Sequence, residues 1–396
     1  MRFSEIKSHI VNREGYESID ALRQAGYRLV KARDDERYFL ARESDLHPLL
    51  VRLGDIAEVR FGIKTGANEF FYLEPIGTTV AELFRAGTQQ PSQPTVRVRN
   101  GAGWQGELET AWLRPVIKSP RELKTLRVRL EDLRYLVFMP PAEFFSPSAN
   151  SLASATNAEK KILDDARQRL HDTAYLKQHY PHAHAYIQWG EGQGYQYNPT
   201  CAAREAWWAL SANKSNIKIP MFFRERFFFV VSDAFCDAQL YDVTLKDNEK
   251  VSEVLVVSLL CNTMFLLQAE IGGRHYGGGG GPLKFQVYET KQSLIPNPSA
   301  FTAAQRERLL EAFERMAQRE VRSIFEELGY AKPSRDYSNI DPDALTLEQV
   351  QRASPDRFEL DAVVFEVLGL NDAERLAVYR AVVELVRNRL VKARSV

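Results

Sequence analysis

Residues 54–73 read Gly-Asp-Ile-Ala-Glu-Val-Arg-Phe-Gly-Ile-Lys-Thr-Gly-Ala-Asn-Glu-Phe-Phe-Tyr-Leu, with a polar cluster between two apolar runs. At the tip stand Gly62, Lys64, Thr65, Gly66 and Asn68. Glycines let a backbone approach a ligand closely, and one cation, one hydroxyl and one amide suit a phosphate oxygen or a base edge. The first run alternates Ala57, Val59 and Phe61 with Glu58 and Arg60, which predicts a strand. The segment therefore reads as strand–loop–strand with a polar tip, and a plain turn is the competing interpretation.

Three further groups have the right chemistry. Arg114, Lys118 and Arg121 open a stretch to Arg134 holding seven cations against Glu122, Glu131 and Asp132. Trp207 and Trp208 are adjacent, so on a strand one would face the core and the other, taken as Trp208, would be free to stack on a base. Arg274, His275 and Tyr276 precede Gly277 to Gly281, and Lys284 follows. A glycine run holds regular structure only at high entropic cost, so this loop is either slack or a close-approach backbone beside a ligand. An arginine there has the donor geometry for guanine O6 and N7. For each of these cations a solvated surface charge is the competing reading.

The elements that must position these groups are mixed α/β. Residues 1–50 are a lead-in, with a helix over Ile19 to Ala25 and strands at Tyr27 to Ala32 and Tyr38 to Ala41 around Asp34-Asp35-Glu36. Residues 51–145 read as strands, interrupted by the Gln-, Pro- and Gly-rich stretch 87–106. A helix is expected over 152–178, strands over 186–250 and one apolar helix from Val254 to Ile271. A helical region follows over 301–396. Thr302 with Gln305 forms a capping box for a helix running to Leu328 and stopped by Gly329. Thr346 with Gln349 and Asn371 with Glu374 start two more. In the last helix Leu376, Tyr379, Val383, Val386 and Leu390 make an apolar seam for packing within the chain or against a partner. The expected division is thus 1–50, 51–300 and 301–396, a strand-rich domain followed by helices.

Composition narrows the function class. Apolar residues at 44% and charged residues at 26% are ordinary for a globular chain of 396 residues. The longest apolar run, Val254 to Leu260, is far below the ~20 residues of a membrane span, so no membrane partner is expected. Cys201, Cys236 and Cys261 are too sparse for a disulfide framework and suit a cytoplasmic setting. Lys plus Arg and Asp plus Glu are equal at 52 each, so any nucleic-acid face must be a local polarisation. His179, His182 and His184 lack a Cys or carboxylate at ligand spacing, and no metal is expected. Asp233, Asp237 and Asp242 do not form a nuclease pattern, and no Gly-x-Ser-x-Gly elbow supports a hydrolase.

The loop at 54–73 resembles the opening of the target-recognition region of adenine-N6 DNA methyltransferases, the TaqI-like C-terminal specificity domain also found in fused restriction–modification enzymes. Downstream blocks stand in that family's order over roughly residues 50–300. These are Trp112-Leu113-Arg114-Pro115-Val116-Ile117-Lys118-Ser119, Tyr186-Ile187-Gln188-Trp189-Gly190-Glu191, Arg204-Glu205-Ala206-Trp207-Trp208-Ala209-Leu210, Leu259-Leu260-Cys261-Asn262-Thr263 and Gly273-Arg274-His275-Tyr276 with Leu283-Lys284 and Leu294-Ile295-Pro296. Phe358-Glu359-Leu360-Asp361 and Gly369-Leu370 are similar to the tails of such enzymes.

The catalytic signatures are missing. Met139-Pro140-Pro141-Ala142 lacks the polar and aromatic residues that would hold a flipped adenine. No strand leads through a Gly-x-Gly turn into a helix, and Gly101-Ala102-Gly103 lies in a turn-rich stretch. The resemblance implies a double-stranded DNA recognition module that presents an adenine to a methyltransferase domain, in cis or in trans. S-adenosylmethionine would be held on that catalytic domain, in a bacterial restriction–modification or defence setting. On that reading the module itself performs no catalysis, and the chain is either a separate subunit or part of a longer enzyme. Its DNA contacts would be Lys64, Thr65, Asn68, Arg114, Lys118, Arg121, Trp208, Arg274, His275, Tyr276 and Lys284. Two alternatives stay open: an enzyme (endonuclease or atypical methyltransferase) and a protein-interaction scaffold acting through its helical tail.

Overall fold

The structure, a computed structural model, describes residues 49–84, 94–141, 171–211, 214–246, 251–275, 281–332 and 336–392, the strands Tyr27–Lys31 and Tyr38–Arg42, and the single residues 24, 144, 165, 168 and 169. The helix expected over 19–25, the stretch 85–93, most of 152–170, Tyr276 and Gly277 to Gly280 lie outside the described residues.

Two sheets carry the strand-rich part. The larger has six strands in the order Phe235–Cys236, Leu113–Ile117, Tyr135–Phe138, Tyr72–Pro75, Thr95–Asn100 and Gln105–Glu109. All its pairings are antiparallel except Phe235–Cys236 with Leu113–Ile117. The smaller is fully antiparallel, in the order Val230–Val231, Ile217–Pro220, Leu240–Leu245 and Ala57–Phe61. In Ala57–Phe61 the expected alternation holds for four residues, with Ala57 and Val59 buried and Glu58 and Arg60 exposed. It fails at Phe61, which leans edge-on against Tyr241 at 5.2 Å and stays 43% exposed. The one-turn helix Asn68–Phe71 then leads into Tyr72–Pro75, so the strand–loop–strand reading holds with a helical turn inserted.

The strands expected over 186–250 begin only at Ile217: the range opens inside the helix Pro181–Gly192, and the helical turn Pro199–Ala202 follows. Proline at the first position of Pro181–Gly192 needs no N–H partner, and the Glu109 carboxylate accepts from the N–H groups of His182 and Ala183, both at 2.8 Å. Tyr186 and Gly190 then face the sheet. Phe70 stacks on Tyr186 at 4.4 Å, and a Cβ on Gly190 would come within 2.6 Å of the Phe70 ring. The Tyr186 hydroxyl donates to the Phe70 carbonyl at 2.6 Å.

The apolar helix expected from Val254 to Ile271 is two helices, Glu253–Leu260 and Thr263–Gly272, bent by 65°. Asn262 caps the second by accepting from Phe265 N at 2.9 Å, and Asp361 accepts from both Thr263 N and Thr263 Oγ1. No single helix among the described residues is long and apolar enough to cross a membrane. The bent pair passes by composition alone, and most of its side chains are buried in the core.

Thr302 and Gln305 form the expected capping box of Ala303–Ala317. The helix does not run on to Leu328, because Val321 N–H bonds to Lys124 O and Ile324 N–H to Glu225 O, stitching this segment to the strand-rich part. A second capped turn, Ile324–Glu327, follows, and Gly329 stops it at φ +92°. The seam of the final helix Asp372–Lys392 closes inside the chain. Tyr379, Val383, Val386 and Leu390 are buried, and the helix packs on Thr263–Gly272. Burying each such side chain contributes roughly 1.5–3 kcal/mol, which is why the stripe is not left to solvent.

Candidate nucleic-acid interface

The polar tip is held from below by three chain segments bonded in series. Ile63 N–H donates to Cys236 O at 2.7 Å, Ala238 N–H to Ile63 O at 2.9 Å, and Asp237 N–H to Ile117 O at 2.9 Å. Lys64 and Lys118, each the next residue along, therefore leave this junction close together in the fold. Gly62 is required for the approach, since a Cβ there would sit 2.4 Å from Cys236 O. Buried Asp237 fixes the junction, accepting from Tyr72 OH at 2.6 Å and Gln239 N at 2.9 Å. Burial, and then the Asp237 charge, push the Tyr72 phenol far up, so it stays a donor.

The segment 198–204 holds the loop from behind. Arg204 Nη2 donates to the carbonyls of Lys64 and Thr65, both at 2.6 Å, and its Nη1 to Trp207 O at 2.9 Å. Asn198 donates to Gly66 O at 3.0 Å, and Gly66 adopts φ +77°. With these carbonyls turned inward, Lys64 and Asn68 are left exposed. Lys64 Nζ lies 4.1 Å from the Phe61 ring centroid.

A second group lies at the same end of the smaller sheet. Met221 N–H donates to Gln239 O, Phe285 N–H to Met221 O, and Gly62 N–H to Leu240 O, each at 2.9 Å. This continuity carries a three-stranded sheet, Phe222–Phe223, Leu283–Lys284 and Arg274–His275, in which Arg274 is the register partner of Lys284. The rim thus runs from Arg274 and Lys284 to Lys64, Lys118 and Arg121.

Three of the residues expected at the interface have other roles in this structure. Thr65 is 2% exposed, and its hydroxyl is spent within the loop on Asn68 Oδ1 and Ala67 N–H. Arg114 turns back to donate to Ala111 O at 2.7 Å and Leu113 O at 2.8 Å, a bracing role inside the sheet. Trp208 is buried, 5.4 Å from Trp112, while half-buried Trp207 donates to Glu191 at 3.3 Å. The pair sits in a turn, so the alternation assumed for a strand does not decide which ring is free.

The others are at or near the surface. Lys118 lies over the Tyr135 ring at 4.1 Å, and Arg121 is exposed. Lys284 lies 5.6 Å from the Phe222 ring. Exposed Arg274 donates from Nε to Glu289 at 2.9 Å and from Nη2 to Tyr288 OH. For His275 only the backbone is described, and Tyr276 lies outside the described residues.

Two exposed aromatics complete the rim and were not foreseen: Phe61, and Tyr288 at 37% exposed. Each lies under a cation, Lys64 and Arg274 respectively. An aromatic face under each cation holds the charge in place without neutralising it, which suits contact with phosphates. The Glu122 carboxyl beside Lys118 is pushed up to about 7 by burial, a rise that the Lys118 N–H and charge only partly offset.

Among the described residues no three His, Cys, Asp or Glu side chains gather to hold a metal. Gly101 and Gly103 form the turn of the hairpin between Thr95–Asn100 and Gln105–Glu109, with φ +88° at Gly103. A strand-to-strand turn does not offer the helix N-terminus that would cradle S-adenosylmethionine, so these residues do not fit that cofactor.

Among solved structures, the type IIG restriction endonuclease BpuSI aligns at 14% identity and TM-score 0.39 over 81% of this chain and 32% of its own. The type IIL restriction–modification enzyme MmeI, solved in complex with DNA, aligns at 12% identity and TM-score 0.35 over 93% and 42%. The chain therefore spans less than half the length of either enzyme. No curated protein matches it. Residues 145–328 match the family described as "Type II methyltransferase M.Eco57I, C-terminal domain". That segment contains Arg204, Trp207, Trp208, Arg274 and Lys284 and leaves out Lys64, Arg114, Lys118 and Arg121. Over residues 145–328 the chain is thus similar to the C-terminal domain of type II methyltransferases.

Proposed function

We propose that this chain is the sequence-reading module of a restriction–modification adenine-N6 methyltransferase. In this reading it docks double-stranded DNA across the rim from Arg274 to Lys118 and presents a target adenine to a catalytic domain, in cis or in trans. Lys64, Lys118 and Arg121 grip phosphates and set register, while groups around Arg274 read base edges. S-adenosylmethionine is bound by the catalytic domain, and the transfer step takes place there.

The observation that carries the reading is the placement of the cations. Backbone hydrogen bonds join the loop before Lys64, the strand before Lys118 and the small sheet that carries Arg274 and Lys284, although the whole chain has 52 cations and 52 acids. The test is selection of the purified chain against randomised duplexes at two salt concentrations. The expected result is one enriched motif containing an adenine, with affinity falling steeply with salt. Binding without any preferred motif, or no binding, would refute the reading for the chain by itself.

A further inference from the structure

The surroundings of Arg274 fix more than its position. Its side chain is 47% exposed, whereas that of its partner Glu289 is 5% exposed. Glu289 is itself immobile: Oε2 accepts from Gln286 N–H at 2.7 Å, and Oε1 accepts from Tyr288 OH at 3.0 Å and Arg274 Nε at 2.9 Å. Arg274 Nη2 donates to the same Tyr288 hydroxyl, and the guanidinium carbon lies 5.4 Å from the Tyr288 ring centroid. Carboxylate and phenol thus occupy the Nε/Nη2 edge and set the plane of the group. The terminal edge keeps a donor on each nitrogen, and Nη1 has no partner among the described residues.

From this geometry we infer that Arg274 reads a guanine through its Nη1/Nη2 edge, with Glu289 and Tyr288 as its positioning residues. The inference rests on the DNA-reading function proposed above and assigns one base of the recognised site. Guanine presents O6 and N7 side by side in the major groove, a coplanar pair of acceptors that a terminal guanidinium edge matches with two hydrogen bonds. Fixing the plane beforehand reduces the ordering cost on binding. A phosphate can also take two bonds from that edge, but its attraction rests on charge as well, and a carboxylate beside the guanidinium weakens it, whereas an uncharged guanine edge loses less. The built-in partner therefore favours a base edge over the backbone.

The experiment repeats the duplex selection with the full chain and three variants, R274A, R274K and E289Q. It then measures binding of the selected duplex with 7-deazaguanine at each guanine in turn. Glu289 keeps its bonds from Gln286 N–H and Tyr288 OH, so R274A should still fold, and R274K also keeps the charge. The expected result is that one guanine is lost from the motif in both arginine variants, with discrimination there falling roughly ten- to hundredfold. The salt slope should be unchanged in R274K, and E289Q should blur the same position to a lesser degree. Loss of N7 at that guanine should weaken wild type and leave R274A unaffected. If R274A weakens binding equally on all sequences and lowers the salt slope by about one while R274K restores it, Arg274 is a phosphate contact and the inference falls. If no guanine position responds in any variant while wild type still selects a motif, the inference falls and the DNA-reading function stands. If wild type selects no motif, the function itself fails and the inference goes with it.

Discussion

Two regions of this molecule handle positive charge in opposite ways. At the helical seam Arg357 is buried and donates to Glu327 at 3.1 Å, and Arg319 binds Glu327 with two bonds of 2.7 Å while also reaching Asp356. Arg389 is paired with Glu270, both almost fully buried, and its Nη2 donates to Arg224 O at 2.5 Å. At the rim, Lys64, Lys118 and Arg274 lie over aromatic rings, with Lys64 and Arg274 exposed and Lys118 half-buried. The seam buries its arginines against carboxylates and uses them to lock helices together, whereas the rim keeps Lys64 and Arg274 exposed. A chain with no net charge can therefore still have a binding face. The deciding quantity is how much of each cation stays exposed: the Arg274 side chain is 47% exposed even with Glu289 as its partner, against 5% for Arg357 and 0% for Arg389.

The strongest way to break this division is to remove Glu327. Burial pushes its carboxyl up, but Arg357, Arg319 and Arg322 more than offset that and hold it at about 2. E327A leaves Arg357 buried without its partner, a loss of about 3–5 kcal/mol expected from denaturant unfolding. Because the folded pKa is depressed, this contribution is present above the ordinary carboxylate range near 4.5 and is lost as pH falls through about 2. The variant should therefore lack that acid-sensitive component. The preferred DNA motif, measured well below the unfolding temperature, should not change. An altered motif with unaltered stability would show that the seam is not merely structural.

A smaller effect is expected at Arg204, which touches the rim only from behind. R204A leaves the carbonyls of Lys64, Thr65 and Trp207 without this donor, at a cost of about 1–3 kcal/mol in stability. Loosening the loop should weaken binding of the selected duplex about tenfold, because Lys64 must then be ordered on binding. Full affinity in R204A, measured on the folded variant, would mean the tip needs no bracing.

How much of this was legible in the sequence depended on whether the governing contacts were local. The capping boxes at Thr302 and Asn371 could be read because the bonds join residues three apart. The strand Ala57–Phe61 was readable from its own alternation, although its ladder partner Leu240–Leu245 is distant in sequence. The helix Pro181–Gly192 was misread because its N-terminus is satisfied by Glu109 from another strand. The break after Ala317 depends on Lys124 and Glu225, which no local pattern reveals. At the site, Lys64 and Arg274 could be proposed from type and setting. The fates of Thr65, Arg114 and Trp208 depended on where their polar atoms and rings found partners in the fold. Phe61 had a weak signal, a lysine three residues on, and Tyr288 had none.

The smallest effect should appear at Glu122 and sharpens the comparison, because this is a rim carboxyl beside a rim cation. Around it stand Lys118, Arg134 and Asp237, with the Tyr72 and Tyr135 phenols that its charge pushes upward. Its folded pKa is raised to about 7, so its contribution to stability is present below about 4.5 and is lost as pH rises through about 7. The same ionisation places a negative charge next to Lys118. Affinity for the selected duplex should then fall roughly two- to fivefold between pH 6 and pH 8, a modest change because the group is partly solvated and screened. E122Q cannot ionise and should flatten that dependence while keeping the high-affinity limit. Titrating both proteins across this range at fixed salt separates the cases. A parallel fall in the two would assign the pH dependence to another group, and no fall in wild type would mean that Lys118 does not meet DNA.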